Sequence, residues 1–208
     1  MYVPPAFAED RAAVLHGLIA AHPLALLVTG GDLLANPVPM MLEADADAGL
    51  LRAHLARANP QIAALRAAQA AGTEVLAVFQ GPQAYISPGW YASKAEHGRV
   101  VPTWNYLMVQ VRGVPRVIED ADWLHAQTSA LTDRFETGMP DPWAVTDAPD
   151  AFVAAQLRGI VGVEIPVTRI AGKWKASQNR PAADRAGVIA GLTAAGHAMA
   201  GHIPEPQD

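Results

Sequence analysis

The stretch YLMVQVRGVPRVIE, residues 106–119, decides the fold. Leu107, Val109 and Val111 alternate with Met108, Gln110 and Arg112, a period of two that puts one apolar row and one mixed row on opposite faces of a strand. A strand of that kind rests one face on a core and leaves the other in polar surroundings, as antiparallel sheets do.

Outward from this stretch the chain reads as further strands broken by single helices. Upstream, LALLVTG, LLANPVPMML and LLRAHLA are strand-like, and the prolines at 37 and 39 mark the second as an edge strand or a bulge. EVLAVFQG is apolar on both faces and is expected to be a buried strand. Between them ANPQIAALRAAQAAG is a helix, with Asn59 as N-cap, Pro60 at its first position and Gly72 past its end. At the start an arm, YVPPAF, leads into a helix over EDRAAVLHGLIAAH that ends at Pro23. Downstream, residues 120–136 form an amphipathic helix with Leu124, Leu131 and Phe135 in register. TDAPDAFVAAQLRGI is another helix, capped near Asp147. GVEIPVTRI is a strand with Val163, Ile165 and Val167 facing inward, and a last helix starts at Pro181 and fades into the polar tail HIPEPQD. No repeat or low-complexity linker interrupts residues 1–208, so one domain is expected, mainly β with peripheral helices: a small barrel carrying helices on its outside.

Composition excludes several functions. The chain has no cysteine, which removes disulfides, thiol catalysis and iron–sulfur ligation together. Fifteen Lys and Arg against 20 Asp and Glu give a net charge of -5, a poor match to a nucleic-acid backbone. No apolar run reaches the roughly 20 residues that span a bilayer, and MYVPPAFAED lacks the basic and apolar regions of a signal peptide, so a cytoplasmic protein is expected. Hydrolase-elbow, P-loop and dinucleotide fingerprints are absent, and the seven His show no metal-ligand spacing, so no metal is expected.

Three polar-aromatic clusters remain. In RAHLARANP, His54 and Arg57 lead into the helix that starts at Asn59, an arrangement suited to an anion or to a plain capped helix. In FQGPQAYISPGWYASKAEHGRVVPTWNY, Phe79, Tyr85, Trp90, Tyr91, Trp104 and Tyr106 make six of the chain's thirteen aromatics. Ser87, Lys94, Thr103 and Asn105 set donors beside those flat walls, the lining of a pocket for a planar amphipathic ligand or of a subunit interface. In GKWKASQN, Lys173 and Lys175 point to one face and Trp174 to the other if the strand continues, and Gln178 follows. A ligand with an anionic end, a polyol-like middle and a flat ring satisfies all three; FMN has these parts, and pyridoxal phosphate or a nucleotide fits nearly as well.

The strings YVPPAF, LARANPQ, VFQGPQAYISPGWYASKAEHGRVVPTWNY and GKWKASQNRPAADRAGVIAGL, with PWAV and DAP around Trp143, resemble the PaiB-type family of FMN-binding negative transcriptional regulators almost end to end. The resemblance implies an FMN-binding split barrel, a six-stranded Greek-key barrel like that of pyridoxamine phosphate oxidase, forming a homodimer with FMN at the subunit interface. It implies His54, Arg57 and Asn59 at the phosphate end, and Thr103, Trp104 and Asn105 along the ribityl chain or ring. The rings of GWYASK, Trp90 and Tyr91, would close the cleft and the dimer, Tyr85 and Lys94 are further cofactor-binding candidates, and Lys175 and Gln178 would reach in from the partner subunit. Pro37 stands where relatives often carry a His, Gly89 where they carry Ser, and Ala176 where they carry a larger apolar residue. The family implies a regulator with a DNA operator, which the net charge does not support; the same fold serves flavin-dependent oxidoreductases and non-catalytic flavin sensors.

Overall fold

The alternating residues 107–112 do form strand, with Leu107, Val109 and Val111 all buried, but the stretch 106–119 breaks at Val114 and Pro115 into two strands. Burying a side chain of this size stabilises the fold by roughly 1.5–3 kcal/mol, so one row of three fixes which face turns inward. The computed structural model describes residues 1–44 and 49–205; the end of the polar tail lies outside them. In chain order the elements are β1 (Ala8–Glu9), α1 (Ala12–Ala21), β2 (Leu24–Val28), β3 (Ala35–Glu43), β4 (Leu50–Ala56), α2 (Gln61–Ala71), β5 (Val75–Ile86) and α3 (Ser93–His97). They continue with β6 (Thr103–Gly113), β7 (Arg116–Ile118), α4 (Ala121–Glu136), α5 (Asp150–Arg158), β8 (Ile160–Pro166), β9 (Arg169–Lys175) and α6 (Ala182–Ala194).

The chain forms two compact units, one of residues 1–21, 80–109 and 171–208, the other of residues 22–79 and 110–170. The second, called the central unit below, carries the strand order β5-β2-β3-β4-β8-β7, all antiparallel. Its strand β3 divides its pairing. Residues 35–39 pair with β2 and residues 40–43 with β4, so Pro37 and Pro39 sit in a half that has one partner and are tolerated there. The N-terminus of α2 is fastened to this sheet by Gln61. Its buried amide nitrogen donates to the Leu27 carbonyl at 2.8 Å, and its oxygen accepts from Asn36 Nδ2 at 2.9 Å. Gly72, at φ +62°, closes α2 in the left-handed conformation, as its position past the helix end predicts.

The first unit, called the terminal unit, has the strand order β1-β9-β6-β5. Glu9 and its neighbour do not open the first helix, as the sequence suggests, but pair with Gly172 and Lys173 as a short strand. The Glu9 carboxylate instead accepts three hydrogen bonds from Arg11, which hold it below the usual carboxylate range. Helix α6 starts directly after Pro181, as expected.

Other expectations shift for local reasons. Phe135 is 43% exposed rather than core, because α4 buries Leu124 and Gln127 near its start and its last turns carry no buried residue. Asp147 caps a 3-10 turn at Val145–Asp147 by accepting from the Ala144 N–H, and α5 begins three residues later behind Pro149. The run GVEIPVTRI is two strands, β8 and β9. Val163, Ile165 and Val167 are buried as predicted, but Val167 and Thr168 form the break between them, with the Thr168 N–H on the Arg112 carbonyl. In β5, Val75, Ala77 and Phe79 are buried while Leu76 and Val78 are only half-buried, so one face rather than both meets the core.

Candidate functional site

In the central unit, β4 ends in the turn that carries Arg57 into α2. Each nitrogen of the Arg57 guanidinium is engaged: Nε donates to the Arg158 carbonyl at 2.9 Å, one terminal nitrogen to the Ile160 carbonyl at 3.1 Å and the other to Glu119 at 2.6 Å. Arg66 reaches the same Glu119 oxygen at 2.8 Å. These two cations hold the Glu119 carboxyl below its ordinary range, the Arg57 hydrogen bond being the main cause. At the helix start the Asn59 side chain accepts from the Gln61 N–H at 2.9 Å, and the Ile62 and Ala63 N–H groups go to the Asn59 and Pro60 carbonyls. The orphan donors that make a helix start attractive to an anion are therefore already taken. Arg57, Asn59, Arg66 and Glu119 line an open cavity of about 490 Å³.

His54 lies on β4 opposite Gly162 of β8. Gly162 is required there because a Cβ would fall 2.2 Å from the Trp123 ring. Burial lowers the His54 proton affinity, and its Nδ1 is buried with no hydrogen-bond partner among the described residues.

The terminal unit gathers most of the other predicted residues. Lys175, at the end of β9, donates from Nζ to the Thr103 hydroxyl and, at 2.7 Å, to the Trp104 carbonyl. Desolvation lowers its proton affinity, and the charges of Lys173 and Arg180 lower it further. Asn105, 1% exposed, donates to the Ser177 hydroxyl at 2.8 Å and so joins β6 to the turn after β9. Gln178 closes that turn: its side-chain oxygen accepts from the Ala176 N–H at 2.7 Å and its nitrogen donates to the Trp174 carbonyl. Trp104 and Tyr85, 54% and 48% exposed, meet edge to face with centroids 6.1 Å apart. These two large rings on neighbouring strands stand nearly perpendicular, at 72°, and leave apolar faces in solvent in the unit where Lys175 holds the Trp104 carbonyl.

Trp90 is seated differently. Its backbone and ring lie against Gly187 and Gly191 of α6, where added Cβ atoms would come within 1.9 Å of the Trp90 carbonyl oxygen and 2.4 Å of the ring. Lys94 is exposed on the short helix α3, which is held by Ser93: its N–H and hydroxyl both donate to Asp184, at 2.9 and 2.8 Å.

Sequence reasoning missed Arg180 and the role of Tyr91. The Arg180 guanidinium stacks over the buried Tyr91 ring at 4.7 Å. Burial pushes the Tyr91 phenol up, against the pull of the Arg180 guanidinium, and its buried hydroxyl makes no hydrogen bond of ordinary geometry among the described residues. The legible signal was a cation immediately before a proline-initiated helix; its ring partner lies 89 residues earlier (180 − 91) and carries no mark in the sequence. Glu119 was missed too, since nothing local ties it to Arg57.

The terminal-unit set fits a flavin chemically. It offers an ammonium with a donor to spare, a hydroxyl, and exposed aromatic faces. Among the described residues no group of His, Asp and Glu could hold a metal ion, and no helix is long and apolar enough to cross a membrane.

A family described as "Putative FMN-binding domain" matches residues 1–169. A protein of Emericella nidulans is 34% identical over 243 residues, covering 99% of this chain and 97% of its own length. The Bacillus subtilis protein named protease synthase and sporulation protein PAI 2 is 30% identical over 191 residues, 91% of this chain and 87% of its own. Among solved structures, the FAD and heme binding protein from Mycobacterium smegmatis superposes with a TM-score of 0.58 at 18% identity, over 81% of this chain and 73% of that one. The flavocytochrome Anf3 from Azotobacter vinelandii gives 0.57 at 13% identity, over 81% and 69%. At these identities the structures share the fold, the mainly antiparallel split barrel with peripheral helices that the sequence resemblance implied.

Proposed function

This chain belongs to the FMN-binding domain family, and from that premise we propose that it binds FMN and acts through the flavin as a PaiB-type negative regulator. The observation that carries the flavin reading is the convergence of Lys175, Thr103 and Trp104, with the Tyr85 ring beside Trp104, in one unit. Lys175 and Thr103 would hold polar atoms of the cofactor, and the Trp104 and Tyr85 rings would shield its flat ring from water. Bound FMN would supply reversible hydride and electron transfer. The Bacillus subtilis relative is named for protease synthase and sporulation, and the sporulation in that name supports the regulatory part. The working form is a cytoplasmic homodimer with FMN at the subunit interface.

A second reading, an FMN-dependent oxidoreductase, is favoured by Lys175. A partly desolvated cation beside the ring stabilises negative charge on a reduced flavin. It is also favoured by the arginines, because Arg11, Arg52, Arg57 and Arg66 face carboxylates rather than lying open to a phosphate backbone.

The test starts with gel filtration of protein mixed with FMN. A flavin band travelling with a dimer supports the binding reading, and a colourless protein peak refutes it. Promoter-fragment retardation that weakens steeply with salt supports the regulator. Anaerobic bleaching by NADH or NADPH, followed by turnover in air above that of free FMN, supports the oxidoreductase.

A further inference from the structure

Of the chain's 15 Lys and Arg, five arginines are paired with carboxylates, and among the others three stand out by lying together. Arg11, Arg52, Arg57, Arg66 and Arg116 each have a carboxylate oxygen within 4.0 Å. Lys173, Lys175 and Arg180, three cations within eight residues, have none among the described residues. They are also assembled rather than scattered. Lys173 and Lys175 share one face of β9, and the turn after it, closed by the Arg180 N–H on the Ser177 carbonyl at 2.9 Å, returns Arg180 toward the strand end. Ser177 adopts φ +58° to make that turn, a conformation an L-residue enters at some expense.

Each cation is aimed and incompletely used. Lys175 has three donors and gives two. Lys173 is buried, donates once, to the Tyr2 carbonyl at 3.1 Å, and lies 5.2 Å from the Tyr106 ring centre and 5.6 Å from that of Tyr2. Arg180 rests on the Tyr91 ring at 4.7 Å, and the buried Tyr91 hydroxyl makes no hydrogen bond of ordinary geometry among the described residues. Asp184, the carboxylate whose field reaches Tyr91, has both oxygens on Ser93. Like charges gathered without counter-charge repel one another, and Lys175 registers the field of both neighbours. An anion relieves that repulsion.

We propose that Lys175 and Arg180, supported by the charge of Lys173, form a binding site for a phosphate monoester. The site deepens the flavin reading, since FMN is such an ester, but its existence does not depend on that reading; with an FMN phosphate held there, the Lys175 ammonium would not also stand at the flavin ring, where the oxidoreductase reading puts it. It would move the phosphate from Arg57, which already faces the Glu119 carboxylate, to the unit that carries the exposed rings.

The test titrates the full chain with inorganic phosphate by calorimetry. The proposal expects binding by the parent that falls about tenfold on loss of either cation, in Lys175→Met or Arg180→Gln, and is unchanged in Arg57→Ala. Arg180→Gln guards against misfolding, because it leaves the Thr103 and Trp104 hydrogen bonds in place; circular dichroism checks both variants. Affinity should also fall as pH rises through the lowered proton affinity of Lys175. No binding by the parent, equal binding by the variants, or a loss confined to Arg57→Ala overturns the site. Competition then identifies the source. If FMN displaces phosphate and riboflavin does not, the ester is the flavin's own. If FMN and phosphate bind together, the site takes a separate phosphorylated ligand. Phosphate binding without flavin binding would leave the site standing and remove the flavin reading.

Discussion

Replacing Gly187 by Ala asks whether the Trp90 segment is packing or ligand wall. In an exposed helix interior that change is favourable by about 0.5–1 kcal/mol, since Ala restricts the unfolded chain more than Gly. Gly17 of α1 offers such a site in the same unit: it is exposed, and nothing lies within 4 Å of an added Cβ. Gly187 does not. Its Cβ would stand 1.9 Å from the Trp90 carbonyl oxygen and 3.1 Å from the carbonyl carbon. These are backbone atoms that cannot rotate aside, so α6 would have to lift from residues 88–90. Overpacking of this kind costs roughly 1–3 kcal/mol, which outweighs the propensity gain and leaves a net loss of about 1–2 kcal/mol. For a chain of this size that lowers Tm by roughly 2–8 °C, whereas Gly17→Ala should raise it by about 1–4 °C. Thermal unfolding followed by far- and near-ultraviolet circular dichroism reads both, and the tryptophan signal of Gly187→Ala should change in the native state. If Gly187→Ala stabilised the protein as Gly17→Ala does, Trp90 would not be seated on α6 and the reasoning would be wrong.

Three more outcomes can be measured. Gln61→Leu should destabilise by roughly 2–3 kcal/mol in urea unfolding, because the Leu27 carbonyl and Asn36 Nδ2 lose a buried partner; a change below about 0.5 kcal/mol would make the amide dispensable. His54 is held neutral by burial, so the unfolded chain takes up its proton first as pH falls below the ordinary 6.5. Its contribution is whole above that value and is lost as pH drops through the lower folded one. The stability gap between the parent and His54→Leu should therefore shift toward the variant from about pH 8 to about pH 5, and a constant gap would count against burial of the imidazole. Trp104→Ala should weaken FMN binding about five-fold by fluorescence titration, the worth of one aromatic contact; unaltered affinity and flavin emission would remove that ring from the site.

How much was legible differs by residue. Lys175 and Thr103 are both candidates by sequence, yet nothing local says that one donates to the other across 72 positions. Arg57 and Asn59 read as an anion site because a helix start and a guanidinium were adjacent in sequence. Glu119, 62 positions away, engages that guanidinium, and the Asn59 side chain caps the helix itself.

Sequence alone determined what depends on neighbours within a few residues. The period-two row at Leu107, Val109 and Val111 chose strand and face, Gly72 ended α2, and Pro181 opened α6, since these follow from backbone geometry and local burial. Family strings spanning the chain added the barrel and the cofactor. The tertiary structure decided which charges are neutralised and which are not. Glu119 meets Arg57 and Arg66, Asp184 meets Ser93, and no carboxylate reaches Lys175 or Arg180 among the described residues. Electrostatic pairing is set by distance in space, and the chain that carries those charges records only their order.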